Sequence, residues 1–98
     1  MIMRDITSYS RGDKERKPGI LEFKSESGIK FSYMIHKHIY YGDKWFLTCR
    51  DLNITQHDLK TEDFEVAKEK AVDCLVGVLA TKILQYRTIL EEINPEEG

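Results

Sequence analysis

Residues 61–93, TEDFEVAKEKAVDCLVGVLATKILQYRTILEEI, decide how the rest of the chain is read. Apolar side chains recur there in steps of three and four at Phe64, Ala67, Ala71, Cys74, Leu75, Val78 and Leu79, the spacing of one helical face. Glu65, Lys68 and Glu69 fall off that stripe, so the first turns are amphipathic. Thr61 is the expected N-cap, because its hydroxyl can accept from a backbone N–H left without an intrahelical partner. Glu62, Asp63 and Glu65 then place negative charge against the positive end of the helix macrodipole. Between Ala71 and Ala80 only Asp73 is charged, which predicts turns buried on most sides. Gly77 lies among them, where glycine costs about 1 kcal/mol relative to alanine. It predicts either a close backbone approach or a break into two helices. Asn94-Pro95 ends the segment, since proline disfavours a helical conformation in the residue before it.

Length sets the next question. A continuous helix from Glu62 to Ile93 would run roughly 48 Å at 1.5 Å per residue. A sheet of short strands covers only about half of that. Ile83, Tyr86, Leu90 and Ile93 continue at helical spacing, with Leu84 and Ile89 beside them. Either the helix bends back over the sheet or these side chains pack on a second copy of the chain. The second reading is preferred, which makes Ile83, Tyr86, Leu90 and Ile93 the expected interface of a homodimer.

Upstream the hydrophobic period changes to two. Leu21 and Phe23 face one way in ILEFK (20–24), and Ser25 to Gly28 form a turn. Ile29, Phe31, Tyr33 and Ile35 alternate with Lys30, Ser32, Met34 and His36 as a half-buried strand. Residues 41–44 turn the chain again, and Trp45, Leu47 and Cys49 alternate with Phe46, Thr48 and Arg50. A short fourth strand fits between Ile54 and Leu59. Hairpin-sized connections make the sheet antiparallel. The predicted fold is α+β: three strands, with room for a fourth, packed on one long C-terminal helix. Residues 1–18 lack periodicity and are read as a basic, disordered leader, 19–93 as the single domain, and 94–98 as an acidic tail.

Composition narrows the function. Charged residues make up 33% and hydrophobic ones 41% of 98 residues, with a net charge of −2, the balance of an ordinary globular domain. A protein that binds nucleic acid through its phosphates usually carries a basic surplus, and this chain has none overall, which leaves room only for a local patch. Cys49 and Cys74 both fall in apolar runs and read as free buried thiols. Neither a signal peptide nor a membrane-length apolar stretch is seen, so the expected location is the cytoplasm.

Few constellations suggest chemistry. His36 and His38, two apart on a strand, leave from one face, but zinc needs three or four ligands and no spacing brings others to them. No metal or cofactor is expected. Phosphate loops, nucleophile elbows and paired catalytic residues are likewise lacking, so an enzyme is not expected. Tyr33, His36, His38, Tyr40, Tyr41 and Trp45 make an aromatic-rich hairpin and edge, the expected partner-binding surface. The same aromatic cluster could stack bases. With Arg11, Lys14, Arg16 and Lys17 of the basic leader, it forms the alternative, a nucleic-acid-binding module.

From the third strand onward the residues resemble a family. Gly42-Asp43, then Trp45 to Cys49, then Asp51-Leu52, then Thr61 to Ala67 is similar to the HicB-like antitoxin domain over roughly residues 29–79. Asn53-Ile54 stand where that family has Pro-Gly. The resemblance implies a partial RNase H-like fold without catalytic carboxylates, and a role in holding a protein partner. A double-stranded-RNA-binding domain also ends in three strands and a helix, but it opens that helix with lysines, where this chain has Thr61-Glu62-Asp63-Phe64-Glu65. The expected function is therefore a small regulatory protein-interaction module, antitoxin-like, of the size found in phages and mobile elements.

Overall fold

Alternation from Leu21 to Cys49 is realised as a sheet with one covered face. The computed structural model describes residues 1–7, 19–38 and 42–94. Among them the chain forms β1 (Ile2–Asp5), β2 (Ile20–Lys24), β3 (Ser32–His36), β4 (Phe46–Cys49), β5 (Ile54–Asp58) and α1 (Phe64–Ile93). The five strands hydrogen-bond in chain order, each antiparallel to the next. A single 3-10 turn, Arg50–Leu52, separates β4 from β5.

Five strands replace the three or four expected. The additional one, β1, lies in the stretch read as a leader. All four of its residues are exposed, so no alternation of burial marks it in the sequence. Backbone pairing from Ile2 opposite Lys24 to Asp5 opposite Leu21 holds it. Thr7 fastens its end, since its Oγ1 accepts from the backbone N–H groups of Gly19 at 2.8 Å and Ile20 at 2.9 Å.

The covered face follows from register. Leu21 pairs with Ile35, Phe23 with Tyr33, and Ile35 with Leu47, so these side chains and Cys49 project together. Against them α1 lays Ala67, Ala71 and Leu75. The two alanines are fully buried, and their small size lets the helix axis approach the strands closely. Phe23 and Tyr33 stack with ring centroids 4.8 Å apart and planes 6° from parallel. Leu52 and Leu59 close the ends of the core.

The helix differs from expectation in three respects. Asp63, not Thr61, caps it: Asp63 Oδ1 accepts from the N–H groups of Glu65 and Val66 at 2.9 and 3.2 Å. Thr61 acts one step earlier, its Oγ1 accepting from the Asp63 N–H. Gly77 marks neither a break nor a close approach, since α1 runs through it and a Cβ there would meet nothing within 4 Å. The turns around it are buried on one side only, because the sheet contributes a single layer. Val72 and Val76 keep 46% and 59% of their surface exposed. After Leu75 no described residue of α1 is buried. The helix is about 45 Å long, and the molecule measures 65 × 28 × 20 Å because its distal turns project past the sheet. No helix among the described residues is long and apolar enough to cross a membrane.

Candidate interaction surface

The aromatic cluster nominated from the sequence does not share one surface. Tyr33 is buried against Phe23 on the helix side. Trp45 is buried on the same side, its ring 5.0 Å from that of Phe64. Strand parity explains both, since Tyr33 alternates in phase with Ile35 and Trp45 with Leu47 and Cys49. His36 and His38 flank Phe46 on the other face, with ring centroids 6.2 and 6.4 Å away. Tyr40 and Tyr41 lie outside the described residues, as do Arg11, Lys14, Arg16 and Lys17.

Burial fixes the chemistry of the inward groups. It pushes the Tyr33 phenol above its ordinary range, with a smaller contribution from the neighbouring Cys49. Burial also raises the Cys49 thiol, and its Sγ donates to the Ser32 carbonyl at 3.5 Å. Both keep their protons at neutral pH, so Cys49 is a poor nucleophile.

The face of the sheet opposite α1 carries Ile20, Met34, His36, Phe46 and Thr48, adjacent through the register of β2, β3 and β4; Phe46 is buried there and the other four are half-buried. His36 Nε2 and Thr48 Oγ1 share a 2.7 Å hydrogen bond, and His36 Nδ1 lies 3.2 Å from the Lys37 carbonyl. Both ring nitrogens thus have protein partners. The described residues contain no group of three or more histidines, cysteines or carboxylates placed to hold a metal ion.

A larger surface runs along α1. Val72, Val76, Leu79, Ile83, Tyr86, Leu90 and Ile93 are all exposed, from 37% at Leu79 to 76% at Ile93. Their spacing alternates four and three throughout, which is the a/d seam of a heptad repeat. The four residues nominated as a dimer interface form its distal half. Val72, Val76 and the seam role of Leu79 were missed, because the core-facing stripe overlaps them in sequence. The unbroken four-three alternation was the available signal. Asp73, Lys82 and Arg87 border the seam.

At its sheet end the seam opens into a groove. Phe23 and Tyr33 from the sheet, with Lys68, Glu69, Val72 and Asp73 from α1, line a volume of about 410 Å³ whose exposed lining is largely apolar. Val72 belongs to both the groove and the seam. No protein-family model, curated protein or solved structure matches the chain.

Proposed function

We propose that the protein is a small non-enzymatic interaction module that self-associates through α1 and regulates a second protein, in the manner of a HicB-like antitoxin. One observation carries the self-association: an apolar heptad seam along α1 that a single copy leaves in water. Covering such side chains contributes roughly 1.5–3 kcal/mol for each one fully buried. Among the described residues nothing buries the distal turns within one copy, and helices without packing are marginal in water. A second copy supplies what they lack.

The regulatory half of the reading is supported by the HicB-like residues from Gly42 to Ala67 and by the sheet face opposite α1, where Ile20, Met34, His36 and Thr48 are half-buried around a buried Phe46. The nucleic-acid alternative is weakened, since Tyr33 and Trp45, two of the rings needed to stack bases, are in the core.

Light scattering of the native chain and of the Ile83→Lys/Leu90→Lys variant tests the proposal. A native dimer and a variant monomer with unchanged helical circular dichroism are expected. A native monomer at tens of micromolar would remove the self-association. For the second protein, affinity capture is repeated with nuclease present, and partners that vanish on nuclease treatment would favour the nucleic-acid reading.

A further inference from the structure

The seam continues into the groove through Val72, so whatever covers the one extends into the other. We propose that two copies pair their α1 helices antiparallel, the last turn of each lying in the groove between α1 and the β2–β3 face of its mate. This rests on the self-association reading above and adds direction, register and the occupant of the groove.

Charge along the seam selects the direction. In a parallel pair, residues flanking the a/d positions meet five apart, so Lys82 would face Arg87 of the second copy, cation against cation. The one attractive pair in that arrangement would join Lys68 to Asp73 of the mate. Lys68 is already engaged, with its Nζ 3.1 Å from Glu65 and 5.4 Å from the centre of the Phe64 ring. A parallel pair would also gather Leu90 and Ile93 at the end far from the sheets and leave both grooves empty.

The antiparallel pair matches the side chains differently. Val72 packs opposite Leu90 of the second copy, Val76 opposite Tyr86, and Leu79 opposite Ile83, each layer occurring twice by symmetry. In that register Asp73 lies beside Arg87 of the mate, again twice. The two Lys82 side chains approach across the axis, where their long stems carry the ammonium groups into water. Ile93 falls one layer beyond Val72, level with Glu69, at the mouth of the groove floored by Phe23 and Tyr33. Apolar contact, opposite charge and an apolar cleft thus coincide in one arrangement.

Disulfide trapping tests direction and register. Val72→Cys and Leu90→Cys are made separately in a Cys74→Ala background, which removes the half-buried thiol. A covalent dimer is expected when the two proteins are mixed and oxidised, and none from either alone. Leu90→Cys crosslinking with itself would overturn the antiparallel arrangement, as would failure of the mixture to crosslink while light scattering still shows a dimer. A monomer by light scattering would instead remove the self-association on which the arrangement rests.

A second measurement leaves the apolar seam intact. Asp73→Arg is expected to weaken dimerisation roughly tenfold at low salt, and Asp73→Arg combined with Arg87→Asp to restore it. An unrestored double variant would exclude this register.

Discussion

The indole Nε1–H of Trp45 donates to the carbonyl oxygen of Glu62 at 3.0 Å. The same residue's backbone N–H donates to the Thr61 carbonyl, and its own carbonyl accepts from the Leu59 N–H, each at 3.0 Å. One side chain and its peptide groups thereby fix the link between β5 and α1 against the start of β4. The direction in which α1 leaves the sheet is set there, and with it the placement of the groove.

Trp45→Phe keeps most of the apolar volume but leaves the Glu62 carbonyl without its donor. A loss of about 1 kcal/mol is expected from urea unfolding. Trp45→Ala also empties a core site and is expected to cost about 3–5 kcal/mol. As the chain's only tryptophan, Trp45 reports its own environment. Its emission should be blue-shifted in the native state and move red in step with the loss of helical circular dichroism.

Asp63→Ala removes the oxygen that accepts from both the Glu65 and Val66 N–H groups. Chemical denaturation should show a loss of about 1 kcal/mol. Thr61→Ala, one step outside the helix, should cost less. The reverse order would return the cap to Thr61.

Gly77→Ala should stabilise the protein. The added methyl group meets nothing within 4 Å, and alanine gains about 1 kcal/mol over glycine within a helix. Calorimetry should find the thermal midpoint several degrees higher. An unchanged or lower midpoint would mean that the Gly77 face is packed in the assembled protein.

Alkaline pH should destabilise the fold in a defined window. Burial raises both the Cys49 thiol and the Tyr33 phenol above their ordinary values. The unfolded chain therefore releases these protons first, and unfolding becomes easier as pH rises. Their contribution is complete well below about pH 8.5, where an unfolded cysteine is half ionised. It falls as the pH climbs through about 10 and towards the folded-state values. Cys49→Ala should shrink the part of this loss that begins near pH 8.5, measured as the urea midpoint against pH.

Much of the architecture was legible because burial imposes a period on the sequence. Leu21, Phe23, Tyr33, Ile35, Leu47 and Cys49 alternate, and strands β2, β3 and β4 follow from them. β5 was legible as a short run, and the helix end at Ile93 from Asn94-Pro95. β1 was not, since its residues bury nothing and only backbone pairing defines it. Trp45 and Tyr33 were placed on a surface for their residue type, although their parity with Leu47 and Ile35 already turned them inward. On α1 two stripes interleave, one for the sheet and one for the seam, and Leu79 fits the spacing of either. Only the extent of the sheet decides where the first stripe ends.

Strands that pair strictly with their neighbours in the chain have a consequence for synthesis. Each hairpin can close soon after its second strand leaves the ribosome, without waiting for distant sequence. The inner face of Leu21, Phe23, Tyr33, Ile35 and Leu47 is therefore assembled before its cover exists. That cover comes from Ala67, Ala71 and Leu75, so the nascent chain carries a bare apolar sheet until the first three turns of α1 have emerged. Translation speed between Ile54 and Leu75 sets how long that sheet remains open to aggregation.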